Sequence, residues 1–253
     1  MKRLLSAVSA LAAFATIGTA GAADLALKAP PLAPVDAWAG WYAGVNVGGS
    51  WGRARDTTTD GAPAVQFAST SSNLDGVIGG GQIGYNWRSN NWLFGLEADI
   101  QGSSQRGTAN SAGTAGFFVP GIGVITINGT LSDQEKLPWF GTVRGRVGVL
   151  ASPTWLLYAT GGLAYGEIQS SEALTVGAAT VVNNFNTTRA GWTVGGGVEG
   201  VLSGNWTAKL EYLYMDFGTI NNRYTGLLFF NPMFLSTHVT DNIVRVGLNY
   251  HFH

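Results

Sequence analysis

The chain has 253 residues, of which 45% are hydrophobic and only 11% are charged, and it contains 37 glycines, 9 tryptophans and no cysteine. Without cysteine it has no disulfide framework, no thiolate nucleophile and no cysteine-based metal site. Its formal net charge of −1 argues against a nucleic-acid partner, which requires a basic surface. Low charge with abundant glycine and tryptophan is more typical of a membrane barrel than of a cytosolic enzyme.

The N-terminus predicts a secretory signal peptide over residues 1–22. Two basic residues precede an apolar stretch, and small residues at positions 20–22 form a cleavage site. Residues 23–39 contain several prolines and show no periodicity, which predicts an extended periplasmic linker. We expect residues 40–253 to form the folded domain.

Period-two alternation of apolar and polar residues then dominates the chain. Residues 41–51 alternate between an apolar face, with a tryptophan at each end, and a face of small or polar residues. A membrane-spanning strand needs about ten residues, an apolar face and aromatic residues at both interfaces. Seven further segments show this alternation. The eight predicted strands are Trp41–Trp51, Val77–Trp87, Trp92–Gly102, Trp139–Val149, Trp155–Tyr165, Trp192–Leu202, Trp206–Tyr214 and Val244–Phe252.

The connections between these strands alternate strictly between long and short. The short ones are residues 88–91, 150–154 and 203–205, and the long ones are residues 52–76, 103–138, 166–191 and 215–243. In an up-and-down barrel this order puts all long loops at one end, as in outer-membrane barrels, which have short periplasmic turns and long extracellular loops. The fold class is therefore predicted as all-β, an eight-stranded antiparallel transmembrane β-barrel with both termini in the periplasm.

The charged residues indicate which face of the strands points inward. An eight-stranded interior is just wide enough for side chains to fill, so the tryptophan-rich face points outward. A lysine or arginine on the lipid face at mid-membrane would cost about 2–4 kcal/mol. Every charge in the predicted strands lies on the opposite, inner face, and these residues are Glu97, Asp99, Arg144, Arg146, Glu199, Lys209, Glu211 and Arg245.

Because this inner set balances acidic against basic residues, we expect buried salt bridges to close the interior. Glu97 and Asp99 are expected to pair with the two arginines of the adjacent strand. The alternative is a narrow passive pore lined by the same charges.

The last long loop is unexpectedly apolar. Its bulky residues are Leu227, Leu228, Phe229, Phe230, Met233, Phe234 and Leu235. They are predicted either to form a cap in which extended strands pack together or to form a contact surface for a hydrophobic ligand or partner. The second long loop alternates near residues 124–131 as one arm of a hairpin would.

The C-terminal strand is amphipathic and carries Tyr250 and Phe252 near its end. It resembles the signal by which the outer-membrane assembly machinery recognises its clients, which makes that machinery an expected partner during biogenesis. Such signals usually end in the aromatic residue itself, whereas here His253 follows Phe252.

No catalytic, cofactor-binding or metal-binding residue is predicted. Ser236 lies two residues before His238, but no orienting acid is evident for a nucleophile–base pair. The spacing of His251 and His253 could suit a metal, yet no third ligand lies nearby in the sequence.

Several stretches resemble the Omp25/Omp31-type outer-membrane proteins of alphaproteobacteria. These are Ala23–Leu25, Gly40–Gly52, Trp139–Gly148 and Leu157–Gly166. The resemblance implies an eight-stranded barrel, surrounded by outer-membrane lipid and lipopolysaccharide, that supports envelope integrity and displays surface loops. Some members of the family are described as porins and some as haemin-binding. The hypotheses are therefore a structural surface protein, a loop-based binder of haemin, an adhesion target or another hydrophobic ligand, and a narrow pore.

Overall fold

The structure is a computed structural model that describes residues 38–60, 66–119, 122–224 and 233–252. The predicted signal peptide and residues 23–37 of the predicted linker lie outside these ranges. So do His253 and part of the predicted loop surface, namely Leu227, Leu228, Phe229 and Phe230. Within the described ranges, no helix is long and apolar enough to cross a membrane.

Eight antiparallel strands close into one barrel, in which each strand pairs with the next along the chain and the last pairs with the first. This confirms the predicted fold class. The strands are β1 Gly40–Asp60, β2 Gln66–Ser89, β3 Trp92–Val119, β4 Gly123–Ser152, β5 Trp155–Val176, β6 Ala179–Ser203, β7 Trp206–Tyr224 and β8 Met233–Phe252.

Tight turns join the strands at one end of the barrel. The connections β2–β3, β4–β5 and β6–β7 each leave two residues outside the strands. Asn90 and Gly204 have φ angles of 56° and 54°, the left-handed conformation that such turns need and that Asn and Gly adopt at little cost. The first residues of β1 and the last of β8 lie at this same end, since Trp41 pairs with both Tyr85 and Phe252.

The four long connections differ from the predicted loops in extent, because the strands continue through most of them. β3 and β4 stay paired up to Val119 and Gly123, although the sequence predicts a loop over residues 103–138. Beyond the lipid the outer face of a strand need not be apolar, so the alternation that marks a spanning segment fades. The backbone ladder does not depend on that alternation, and it continues.

The outer wall of the barrel is apolar and exposed along the predicted spanning segments. Trp41 and Trp51 are 56% and 47% exposed at the two ends of one segment, and Val45 and Val47 between them are 66% and 53% exposed. A continuous apolar belt of this size, bordered by aromatic side chains, is suited to a lipid environment.

Two apolar clusters fill the interior, one on each side of the charged residues. At the turn end, the cluster consists of Trp38, Leu93, Leu150, Leu156 and Tyr158. Toward the long connections, a larger cluster includes Leu74, Ile78, Leu137, Phe140, Leu213, Met215, Phe217, Val239 and Ile243.

Trp38 lies inside the barrel, although the sequence analysis assigns it to the linker over residues 23–39. Its side chain is buried, and its Nε1 donates a hydrogen bond of 3.0 Å to the carbonyl oxygen of Pro153 in the β4–β5 turn. Asn86 Nδ2 donates to the carbonyl oxygen of Trp38 at 3.1 Å. A single residue outside a strand has no periodicity, so the alternation pattern could not place it.

Candidate functional site

The register of the strands places acidic residues directly opposite basic ones inside the barrel. The opposed pairs are Glu97–Arg144, Glu199–Lys209 and Glu211–Arg245. All eight charged residues predicted to line the interior do point into it, and none is more than 5% exposed. The candidate site is therefore a charged layer that lies between the two apolar clusters.

Glu97 on β3 is at the centre of this layer. Its carboxylate accepts hydrogen bonds from Arg144 and, at 2.9 Å to each oxygen, from Lys209 Nζ. The hydroxyl of Tyr42 donates to Glu97 Oε2 at 2.7 Å. Arg245 approaches Oε1 at 3.5 Å. Because β3 and β7 are not adjacent in the barrel, the Lys209 contact spans the lumen.

Two arginines and two carboxylates form a closed ring beside Glu97. Arg144 lies 3.0 Å from Asp99 Oδ2 and 3.1 Å from Glu211 Oε1. Arg245 lies 3.0 Å from the same Asp99 oxygen and 2.6 Å from Glu211 Oε2. Thr142 donates a further hydrogen bond of 2.8 Å to Asp99. Charge-assisted contacts of this kind are among the stronger hydrogen bonds in proteins.

Glu199 is the centre of a second group toward the turn end. Arg146 Nη2 lies 2.8 Å from Glu199 Oε2. The hydroxyl of Thr207 donates to Glu199 at 2.6 Å, and the amide of Asn249 donates at 2.8 Å. His251 Nε2 lies 3.7 Å from the same carboxylate. Each charged group in this part of the interior is thus paired, as burial requires.

Aromatic side chains hold Arg146 in place. Its guanidinium lies over the ring of Tyr158, 4.5 Å from the centroid, and 5.5 Å from the centroid of Tyr42. The ring of His251 stacks on Tyr42 at 5.2 Å. These cation–π and stacking contacts link the charged layer to the apolar cluster around Trp38.

The sequence analysis did not identify the neutral groups that complete this network. Tyr42, Tyr158 and Thr207 each donate a hydrogen bond to one of the carboxylates. His251, considered above only as a metal ligand, faces inward. The alternation along β8 could have predicted this inward orientation, because His251 lies on the same face of the strand as Arg245.

A smaller polar group lies at the level of the larger apolar cluster, where Asp241 stands between Val239 and Ile243 along β8. Ser50 donates to Asp241 Oδ1 at 2.5 Å, and Gln105 Nε2 donates to Asp241 Oδ2 at 2.9 Å and also to Ser50. Asp241 precedes the predicted spanning segment of β8. Burial raises the pKa of its carboxyl to about 6, because the cost of removing the charge from water exceeds what the hydrogen bonds from Ser50 and Gln105 return.

The residues predicted for the loop contact surface and for the assembly signal lie outside the charged layer. Met233, Phe234 and Leu235 begin β8, and their backbones pair with β7 and with β1. Tyr250 and Phe252 point outward, with Tyr250 5.1 Å from the ring of Trp206 and 5.3 Å from that of Phe252.

The one Ser–His pair considered for catalysis does not form a hydrogen bond. Ser236 donates instead to Asn221 at 2.8 Å, while His238 Nδ1 lies 3.2 Å from the hydroxyl of Thr219. Among the described residues, no group of three or more His, Asp or Glu side chains is arranged to hold a metal ion. The chemistry of the charged layer is therefore that of a balanced, internally paired set of ions.

Comparisons with a family model and with related proteins point to the same kind of protein. A family model described as "Outer membrane protein beta-barrel domain" matches residues 10–252. The chain is 39% identical to a 31 kDa outer-membrane immunogenic protein of Brucella melitensis, over 89% of each chain. It is 31% identical to a 22 kDa outer membrane protein of Rhizobium leguminosarum, over 74% of this chain and 68% of that one.

Among solved structures, the chain is similar to the outer membrane protein OprG from Pseudomonas aeruginosa. The identity is 11%, the alignment covers 85% of this chain and 98% of that chain, and the TM-score is 0.42.

Proposed function

Because this chain belongs to the outer-membrane β-barrel protein family, we propose that it is a structural barrel that supports the integrity of the cell envelope. In this proposal the interior is closed by its salt bridges. The observation that carries it is the order of layers along the lumen, in which paired charges lie between two apolar clusters.

Several features of the interior support closure. A conducting pore needs a continuous path of water, but the charged groups here bind one another across the lumen, as the contact of Lys209 with Glu97 illustrates. Barrels that conduct freely have about 16–18 strands, whereas eight strands enclose little more than their own side chains. An apolar cluster on each side would further exclude water and ions.

The orientation proposed for the barrel follows from its two unlike ends. We infer that the turn end, where β1 begins and β8 ends, faces the periplasm, and that the extended hairpins face the outside. The name "immunogenic" given to the Brucella relative is consistent with exposed hairpins. A signal peptide over residues 1–22 and recognition of Tyr250 and Phe252 by the assembly machinery belong to the same proposal, as does the absence of enzymatic activity.

Single-channel recording tests the closed interior. The mature protein, refolded and inserted into a planar lipid bilayer, should give no stable conductance, and a 16-stranded porin in the same bilayer should give a large one. A stable, reproducible open level from the mature protein would refute closure and favour the narrow pore. A deletion strain tests the envelope role, since it should become sensitive to detergent and recover with the intact gene.

A loop-mediated binder is the second candidate, and it is favoured by the apolar run at residues 227–235. Titration of haemin against the folded protein, beside a variant with that run replaced by Gly and Ser, distinguishes it. Saturable binding that the replacement abolishes would support this candidate, and equal binding by both proteins would exclude a haemin site in this loop.

A further inference from the structure

A cleft of about 480 Å³ opens on the outer wall of the barrel, just beyond one end of the apolar belt. It crosses β7, β8, β1 and β2, and residues that are neighbours in the register line it. Trp51 pairs with Asp75 at its lower edge, and Arg53 pairs with Asn73 and Thr240 in the middle. Arg55, opposite His238, is at the top.

The cleft contains two arginines, Arg53 and Arg55. In the described part of the chain, no carboxylate lies within 4.0 Å of the guanidinium of Arg53 or of Arg55, and both residues are exposed. Their side chains project from the same face of β1, about 6.8 Å apart along the strand. Asp216 lies 3.5 Å from His238, and Asp75, which also lines the cleft, pairs in the register with Trp51.

The position of the cleft relative to the apolar belt indicates its depth. Trp51 at its lower edge is 47% exposed, and the wall below continues with the exposed side chains of Val47 and Val77. Tryptophan at such a border lies at the level of lipid headgroups. The two arginines are therefore next to the headgroups, while the wall beneath them contacts acyl chains.

We propose that this cleft binds the phosphorylated headgroup of a membrane lipid, with the acyl chains against the apolar wall below. Guanidinium groups bind phosphate oxygens in a bidentate geometry, and two of them against the single carboxylate of Asp75 leave the cleft with a positive charge. Asn73 and Thr240 offer further polar contacts. The assignment to the outer leaflet depends on the orientation proposed above, but the phosphate chemistry does not.

The test uses the full mature protein, folded in a neutral detergent, with binding followed by native mass spectrometry. The probes are bis-phosphorylated lipid A, diacylglycerol as a lipid without a phosphate group, and inorganic phosphate. We expect lipid A to bind most tightly. The double variant Arg53→Gln/Arg55→Gln should weaken it by about 2- to 30-fold, the range for loss of two exposed ionic contacts.

Two further variants control for non-specific charge effects. Arg88→Gln removes an exposed arginine at the turn end and should leave lipid A binding unchanged. Asp75→Asn removes the one carboxylate found among the described lining residues of the cleft and should tighten binding. Heat-modifiable mobility on gel electrophoresis verifies that each variant is folded.

Three outcomes would overturn the proposal. Equal affinity of the double variant and the wild type would show that the arginines are not the site. Equal binding of diacylglycerol would show that the apolar wall alone retains lipid. Inorganic phosphate that displaces lipid A at similar concentration would indicate a soluble-anion site. None of these results depends on conductance, so failure here is separate from failure of the closed-barrel proposal.

Discussion

Replacement of Glu97 by Gln is the most informative perturbation of the charged layer. The substitution keeps the size of the side chain and its capacity to accept hydrogen bonds but removes the charge that four cationic groups share. Arg144 and Arg245 would each retain Asp99 and Glu211 as partners. Lys209 would lose both of its 2.9 Å contacts.

The expected change in the free energy of unfolding follows from this difference, because Lys209 loses its contacts while the two arginines keep other partners. Among the described residues Lys209 has no other carboxylate within 4.0 Å of its Nζ, so Glu97→Gln leaves a buried ammonium without an ion pair. Breaking a buried pair in this way costs about 3–5 kcal/mol of unfolding free energy. Lys209→Met should cost less, about 1–2 kcal/mol, because Glu97 keeps Arg144, Arg146 and Arg245 nearby.

The assay is urea-induced unfolding of the refolded protein in lipid vesicles, followed by tryptophan fluorescence and by gel mobility. The double variant Glu97→Gln/Lys209→Met restores the balance of charge and should cost clearly less than the sum of the two single variants, with a coupling energy of about 2–3 kcal/mol. Glu167→Gln, on the outer face, should leave the midpoint unchanged. Additive effects in the double variant, or a cost of Glu97→Gln below about 1 kcal/mol, would refute the assignment of Glu97 as the centre of the network.

Three further predictions concern other layers and use the same unfolding assay. Trp38→Ala should cost about 3–5 kcal/mol, since it removes the largest side chain of the turn-end cluster, while Trp38→Phe should cost much less. Gly162→Ala should be strongly destabilising because a Cβ there would lie 2.1 Å from the backbone oxygen of Val143. The adjacent Gly161→Ala should be tolerated, because its Cβ would lie 3.4 Å from the nearest atom. For Asp241, the folded-state pKa of about 6 exceeds the ordinary 3.8, so the native state holds this proton more tightly than the unfolded chain does. Stability should therefore fall as pH rises from about 4 to 6, and Asp241→Asn should remove that dependence and add about 2–3 kcal/mol at pH 7.5.

Much of the fold was predictable because lipid and a narrow lumen impose the same simple rule on every spanning strand. Alternation with a period of two fixes which face a residue occupies, and this was sufficient to place Glu97 and Arg144 inside and Trp41 outside. The tight turns were predictable as well, since Asn90 and Gly204 are residues that tolerate a positive φ. Which charged residues point into the barrel therefore follows from the local sequence alone.

Contacts across the lumen could not be predicted in the same way. The pairing of Lys209 with Glu97 joins β7 to β3, and it depends on barrel diameter and side-chain rotamers rather than on alternation. The position of Trp38 inside the barrel was also hidden from the sequence, because Trp38 lies before the first strand. The strand extensions escaped prediction because their outer faces are in water, where no apolar pattern is required.

The inner charges also explain why the strands keep one register. A slip of β4 by one residue would transfer Arg144 and Arg146 to the lipid face, at a cost of about 2–4 kcal/mol each near the bilayer midplane. The same slip would leave Glu97 and Asp99 without their partners on β4. Buried salt bridges often add little net stability over an apolar core, so we infer that this charged layer acts chiefly by making a one-residue slip of β4 costly.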